Sequence, residues 1–97
     1  MLITHPKVEE DLENAVRFLD SKSNIVGDKF LQAIDSTGEQ IKENPLRIHP
    51  YGDRFRRCNL HGFPYHMIYE VDGKWIGILV IRHNRRHARF GLDRTWP

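Results

Sequence analysis

The Asp72-Gly73 dipeptide, flanked by two strand-like segments, constrains the fold of this chain more than any other feature. Asp-Gly is one of the strongest signals for a two-residue β-hairpin turn, because that turn needs positive φ angles. Within residues 65–71, two sets of side chains alternate along the chain. A repeat of two residues is typical of a β-strand. Residues 75–82 are apolar at most positions, which indicates a strand covered on both faces. The sequence therefore predicts an antiparallel hairpin inside a sheet.

The segments around this hairpin are also informative. Residues 54–60 favour another strand, and His61-Gly62 turns the chain toward the hairpin. Residues 46–53 favour a loop, because they contain a proline and a glycine. Strict alternation within the last strand divides its apolar residues into one face with Ile76, Ile78 and Val80 and another with Leu79 and Ile81.

Two amphipathic segments precede the strands. Both repeat apolar residues at helical spacing, which is satisfied by Val8, Leu12, Ala15, Val16 and Leu19 and then by Val26, Phe30, Ala33, Ile34, Thr37 and Ile41. Ser23 or Asn24 can cap the second helix, and Asn44-Pro45 ends it. So short a connection makes the helices antiparallel neighbours. With a short strand at residues 2–4, we predict an α+β fold, ordered β-α-α-β-β-β, with a helical hairpin packed on a mostly antiparallel sheet.

Length and composition limit the class of protein. A chain of 97 residues suits a single domain, which we expect to span residues 1–97. The first residues lack the basic and apolar regions of a signal peptide, and the longest apolar run, residues 75–81, is too short to span a bilayer. Cys58 is the one cysteine, so an internal disulfide is impossible. We expect a cytoplasmic protein that needs neither a cofactor nor a membrane.

Charge is distributed unevenly along the chain. Residues 1–53 contain six Lys or Arg against ten Asp or Glu, whereas residues 54–97 contain nine against three. Eight of the nine cations in the second half are arginines. The planar guanidinium matches phosphate and carboxylate groups, so this half is suited to meeting an anionic partner. A solvated basic face is the alternative interpretation.

The order of elements and several motifs resemble the RelE/ParE superfamily of bacterial toxins. Members carry an acidic-Leu pair early in the first helix, to which Asp11-Leu12 corresponds, and a Phe in the second helix before an Asn-Pro end, to which Phe30 and Asn44-Pro45 correspond. Their Phe-Pro-Tyr-x-Ile-x-Tyr signature corresponds to residues 63–69, and their His-x-x-Arg end corresponds to His83-Asn84-Arg85-Arg86. The Phe-Pro-Tyr and His-x-Arg-Arg segments are closer to the ParE side.

The resemblance implies the toxin of a type II toxin–antitoxin pair. A ParE-like toxin poisons DNA gyrase by binding it, and a cognate antitoxin neutralises it in a hetero-oligomer. On this interpretation, the target or antitoxin contacts would come from Arg56, Arg57, Arg85, Arg86, Arg89 and Phe90.

Two alternatives remain open at this point. A RelE-like toxin would cut mRNA on the ribosome, with His83 moving a proton and Arg57 and Arg86 offsetting phosphate charge. His83 can equally be a structural residue that caps the last strand. The other alternative is a non-toxic interaction protein on the same fold, because fold does not fix function.

Other residues have simpler interpretations. Cys58, His61, His83 and His87 have the residue types of a zinc site, but Cys58 and His61 would point from opposite faces of a strand, so we expect no metal. Tyr65 and Tyr69 could stack on RNA, but their shared strand face favours core packing. The tail residues Phe90, Leu92 and Trp96 could cover part of the second face of the sheet.

Overall fold

A computed structural model describes residues 1–21 and 23–97. The elements in chain order are β1 (Leu2–Thr4), α1 (Val8–Asp20), α2 (Asn24–Glu43), β2 (Pro50–Tyr51), β3 (Phe55–Asn59), β4 (Tyr65–Asp72) and β5 (Trp75–His83). The strands form a single sheet in the order β1-β5-β4-β3-β2, in which only the β1–β5 pair is parallel. The predicted α+β fold, with a helical hairpin on a mostly antiparallel sheet, is confirmed.

One strand was not predicted. Pro50 and Tyr51 form the edge strand β2, which pairs with Arg56 and Phe55 of β3. Two residues are too few to produce a periodic pattern, and proline is tolerated at a sheet edge because it need not donate a ladder hydrogen bond. The predicted loop over residues 46–53 is therefore wrong at these two positions.

The helices end where local chemistry predicts. The Ser23 hydroxyl accepts the Ile25 N–H at 3.3 Å, and Ser23 has extended backbone angles, so it is the N-cap of α2. Helix α2 ends at Glu43, directly before Asn44-Pro45. No helix in the described residues is long and apolar enough to cross a membrane.

The main core lies between the helices and one face of the sheet. Phe30, Ile41 and Tyr69 are fully buried in it. Tyr69 donates its hydroxyl hydrogen to the Pro45 carbonyl at 2.7 Å, and burial raises its pKa to about 12. The Tyr65 ring packs edge-on against Phe30 with 5.0 Å between centroids. Both tyrosines are core residues, as their strand alternation indicated.

A bulge in β5 changes which side chains face the helices. Ile68 is paired with Val80 but Tyr69 with Ile78, so Leu79 is an extra residue on β5. Ile76, Ile78 and Ile81 consequently belong to the helix-side core, while Val80 packs on the opposite side beside Gly91. The predicted division by strict alternation is wrong beyond Ile78, because the bulge shifts the pattern by one residue.

The C-terminal segment covers the second face of the sheet. Gly77 allows the Trp96 ring to lie on the sheet, since a Cβ there would be 2.5 Å from a ring atom. Trp96 donates its indole N–H to Glu70 at 2.7 Å and also packs edge-on against His5. Gly91 has a φ of 81° and approaches Val80 equally closely. The prediction that Trp96 helps to cover this face is confirmed.

Candidate functional site

The site is built around the end of β5, where its neighbour β1 has already ended. Strand β1 pairs only as far as Ile78, which leaves the next backbone groups of that edge without a strand partner. Asp11 of α1 accepts the Ile81 N–H at 3.1 Å, and Arg94 donates to the Leu79 carbonyl at 3.0 Å. A carboxylate and a guanidinium thus take the place of the missing strand.

These two side chains also bind each other. Both Arg94 terminal nitrogens donate to the Asp11 carboxylate at 2.7 Å, and the side chains are only 8% and 4% exposed. The hydrogen bond to Asp11 raises the pKa of Arg94, and burial alone opposes that shift. This buried two-point ion pair fixes the C-terminal segment to α1.

Arg82 fixes the preceding part of the same segment from the other face of the sheet. It is 4% exposed, yet the described residues supply no carboxylate partner for it. Its guanidinium instead donates to His66, Ala88, Phe90 and Tyr51, at distances of 2.9, 2.8, 2.9 and 3.1 Å. The backbone at residues 88–90 is therefore held on the sheet by one buried cation.

His66 is kept neutral by this arrangement. Its Nε2 accepts from Arg82, so the ring proton is on Nδ1, which lies 2.8 Å from the Asn84 side-chain oxygen. Burial lowers the pKa of His66 to about 4, the Asn84 hydrogen bond opposes the shift, and the nearby arginines add to it. His66 therefore serves as a hydrogen-bond bridge between Arg82 and the start of the C-terminal segment.

Between β5 and the anchored backbone lies an exposed basic turn, which we call the arginine turn (residues 84–89). Arg85, Arg86 and Arg89 are all exposed in it. The ring Nδ1 of His83 accepts the Arg85 N–H at 3.0 Å, and that of His87 accepts the Arg89 N–H at 3.1 Å. These backbone contacts give the turn a defined shape while the guanidinium groups stay available to solvent.

The structure brings together only some of the residues predicted for binding. Arg86 stacks over the Phe90 ring with its central carbon 4.0 Å from the ring centroid, so these two form one surface with the arginine turn. Arg56 lies elsewhere and donates to the Leu46 and Ile48 carbonyls at 3.1 and 2.6 Å. Its guanidinium tethers the loop before β2, apart from the arginine turn, and its role in binding stays a prediction.

The residues predicted for RNA cleavage are divided between two faces of the sheet. His83 and Arg86 line one cavity on the helix side. Arg57 pairs opposite Ile68, on the face that carries the C-terminal segment, and donates to Asn59 and Asn84 at 3.0 and 3.5 Å. Arg57 is therefore not among the residues that line the cavity with His83 and Arg86, and the catalytic roles of the three stay a prediction.

Two concave regions lie beside the arginine turn. A cavity of about 170 Å³ is lined by Asp11, Asn14, Ala15, Tyr65, Ile81, Arg82, His83, Arg86 and Phe90. A wider groove of about 570 Å³ adjoins it, and the two share Asp11, Asn14, Arg86 and Phe90. Helix α1 and the C-terminal segment thus form the walls of one continuous depression.

The residue types considered for zinc do not meet. Cys58 is buried among core side chains, and burial raises the pKa of its thiol. Within residues 1–21 and 23–97, no three His, Cys, Asp or Glu side chains come together as a group that could hold a metal ion.

Sequence reasoning missed the residues that hold the site together. Asp11 occupies a position of the apolar stripe of α1, between Val8 and Ala15, and a charge there signals a buried partner. Arg82 at the end of an apolar strand is a similar signal. Neither pattern identifies the partner, because Arg94 is 83 positions from Asp11.

Comparisons with known proteins agree with this architecture. The profile of a family described as "ParE toxin of type II toxin-antitoxin system, parDE" matches residues 2–88. The solved structure titled "Chromosomal ParDE TA system from P. aeruginosa" is similar to this chain, with a TM-score of 0.65 and 25% sequence identity, and the alignment covers 84% of this chain and 92% of that chain. A comparison with curated protein sequences finds no significant match.

Proposed function

Because this chain belongs to the ParE toxin family of type II toxin–antitoxin systems, we propose that it poisons DNA gyrase by binding and that a cognate antitoxin neutralises it in the cytoplasm. The similar P. aeruginosa structure comes from a ParDE toxin–antitoxin system, which supports an antitoxin partner and a toxin–antitoxin hetero-oligomer.

The arginine turn is the observation that carries this proposal. Three exposed arginines project from a segment whose backbone is fixed by buried Arg82 and by the Asp11–Arg94 pair. A rigid group of arginines loses little conformational freedom when it binds, and arginine is enriched among the residues that dominate interface energies. This surface is therefore suited to tight contact with an anionic region of a target.

The geometry of His83 favours contact over cleavage. Its Nδ1 accepts a backbone N–H, so the neutral ring carries its proton on Nε2 and has no free lone pair to act as a base. Arg57, the expected phosphate ligand, lies on the opposite face of the sheet. A general base needs a lone pair within reach of the proton that it removes.

The test is a supercoiling assay with purified gyrase and purified protein, together with induced expression in cells. We expect inhibition of supercoiling and DNA damage as the first cellular defect. For an Arg85→Glu/Arg89→Glu variant, the protein concentration that gives the same inhibition should be at least about tenfold higher. A Lys29→Glu/Arg47→Glu variant has the same change in charge at exposed positions away from the turn and should behave like the wild type.

A different first defect would contradict the proposal. If induced protein cuts ribosome-bound mRNA while purified gyrase stays active, the RelE-like nuclease is the correct function. If expression is harmless and the product of the adjoining reading frame does not bind, the toxin activity itself is absent.

A further inference from the structure

The cavity between α1, the end of β5 and Phe90 has polar groups that the fold does not use. Tyr65, His83 and Arg86 all line it, and their side chains carry a hydroxyl, an imidazole Nε2 and a guanidinium. Within residues 1–21 and 23–97, none of these three groups makes a hydrogen bond to the protein. Three donors of different kinds therefore remain available to a ligand in one small space.

The protonation states make all three groups donors. His83 carries its ring proton on Nε2 because Nδ1 accepts the Arg85 N–H. Burial raises the pKa of Tyr65, so its hydroxyl keeps its hydrogen at neutral pH. Arg86 is always charged, and its stacking on Phe90 leaves the edge of the guanidinium free to donate.

The acidic group at the cavity wall is already neutralised. Asp11 lines the cavity, but both of its oxygens accept from Arg94 and one also accepts the Ile81 N–H. Its charge is balanced by a buried partner, whereas Arg82 and Arg86, which also line the cavity, have no carboxylate partner among the described residues. The Arg82 guanidinium already donates to His66, Ala88, Phe90 and Tyr51, so Arg86 is the cation whose donors the fold leaves unused. The site therefore favours an anion.

The lining of the cavity suits a carboxylate on a short apolar stem. Ala15, Ile81 and Phe90 supply apolar walls beside the donors, and the volume is about 170 Å³. A glutamate side chain can place its methylene groups on these walls and its carboxylate oxygens on the donors, whereas a phosphate has no apolar stem to contact the walls.

We propose that this cavity binds the carboxylate of one glutamate or aspartate side chain contributed by the antitoxin. The identity of the partner rests on the proposed function, while the preference for a carboxylate rests on the cavity alone. Arg86 supplies the charge, and Tyr65 and His83 supply directed hydrogen bonds.

The first experiment uses the purified full chain and small probes. N-acetyl-glutamate amide, N-acetyl-glutamine amide and inorganic phosphate are titrated separately, and the ¹H–¹⁵N NMR signals of the Arg86 side chain and the His83 ring are followed. We expect saturable shifts with the glutamate probe, no comparable shifts with its neutral amide, and weaker binding of phosphate.

Variants distinguish binding in the cavity from nonspecific attraction to the basic surface. Arg86→Ala should weaken glutamate binding about tenfold or more, and Tyr65→Phe should weaken it several-fold while it keeps the packing against Phe30. Arg85→Ala removes an equal charge from an adjacent residue that does not line the cavity, so binding should change less than about twofold. Any of three results would overturn the proposal. They are equal losses of binding in Arg85→Ala and Arg86→Ala, equal binding of the glutamate and glutamine probes, or tighter binding of phosphate than of the glutamate probe.

The second experiment uses the co-expressed antitoxin. Each acidic residue of its binding segment is changed to the matching amide, and each change is combined with Arg86→Ala in a double-mutant cycle. We expect one acidic residue to be strongly coupled to Arg86 and the others to be independent. An antitoxin that binds tightly with no coupled acidic residue would refute the carboxylate site while leaving the toxin–antitoxin function intact.

Discussion

The Asp11 carboxylate and the Arg94 guanidinium, 83 positions apart in the chain, form a buried two-point ion pair that also completes the free edge of β5. One interaction therefore joins the first helix, the last strand and the C-terminal segment. Its residues lie at the wall of the depression beside the arginine turn, so stability and the shape of the binding surface depend on the same contacts.

Breaking this pair should be costly. Arg94→Ala leaves the Asp11 carboxylate buried without its cation, and we expect the free energy of unfolding to fall by about 3–5 kcal/mol. Arg89→Ala makes the same chemical change at an exposed position and should alter stability by less than about 0.5 kcal/mol. Urea denaturation followed by circular dichroism measures the free energy of unfolding of both variants. An Arg94→Ala protein as stable as Arg89→Ala would contradict the buried Asp11–Arg94 ion pair.

His66 should make stability depend on pH. Its folded-state pKa of about 4 lies below the ordinary value of 6.5, so the unfolded chain binds a proton more readily. The stability that neutral His66 contributes is fully present above about pH 6.5. It is lost as the pH falls toward 4, and the free energy of unfolding then decreases by roughly 3 kcal/mol in total. Urea titrations between pH 7.5 and pH 4 should therefore show a steeper loss for the wild type than for His66→Gln. Parallel stability curves for the two proteins would show that His66 is not the titrating group.

Two glycines provide a matched test of the C-terminal packing. Gly77→Ala places a Cβ 2.5 Å from the Trp96 ring, so the indole must move away from Glu70, and we expect a loss of about 1–3 kcal/mol. Gly38→Ala meets nothing within 4 Å in α2 and should stabilise the protein by about 0.5–1 kcal/mol.

Thermal denaturation gives the stability of both glycine variants, and tryptophan fluorescence reports the displaced indole. Trp75 is already half exposed, so a red shift in Gly77→Ala would come from Trp96. A Gly77→Ala protein with unchanged emission and unchanged stability would show that Trp96 does not lie on the sheet.

Toxicity should survive the loss of the His83 imidazole. We expect His83→Ala to keep most of the growth arrest, because contact through the arginine turn needs no proton transfer. Loss of a general acid or base would instead lower a cleavage rate by about 10²–10⁴. Growth after induction is compared with that of Arg85→Glu/Arg89→Glu, and circular dichroism checks that the His83→Ala protein is folded. A folded His83→Ala protein without toxicity, together with a wild type that cuts ribosome-bound mRNA, would favour catalysis.

Truncation after Ile81 is a poor test of the binding surface. It removes Arg82, Arg94 and Trp96, which anchor the C-terminal segment to both the sheet and α1. Loss of toxicity in that variant would follow from unfolding as readily as from loss of the binding surface, so charge reversal in the arginine turn is the sharper change.

Local sequence patterns predicted the parts of the fold that depend on residues close together in the chain. The helical hairpin, the Ser23 cap and a tight turn between β4 and β5 follow from spacing and turn chemistry within a few positions. The two turn residues are Gly73 and Lys74, one position later than the Asp-Gly signal indicated, because Asp72 still pairs with Trp75 and the positive φ of 58° belongs to Gly73. The exposed arginines of the turn were also predictable, because they cluster in sequence directly after the last strand.

Contacts between distant residues were not predictable from such patterns. The extra residue Leu79 appears only when β5 is paired with β4, and Arg56 turns away from the arginine turn because its partners are the carbonyls of another loop. The partners of Asp11 and Arg82 are set by the assembled fold. A sequence pattern shows that a buried charge needs a partner but does not say where that partner is.

The bulge at Leu79 gives the gene of this protein room for one change of length within β5. Removing that single codon would place Val80 directly after Ile78, which restores a regular alternation and keeps Ile81 on the helix side and Arg82 under the C-terminal segment. Removing the Leu79 and Val80 codons together would instead exchange the faces, so that Arg82 enters the core beneath the helices and Ile81 takes its place. We therefore expect the two-codon deletion to be lost under selection for toxicity and the deletion of Leu79 alone to keep the fold.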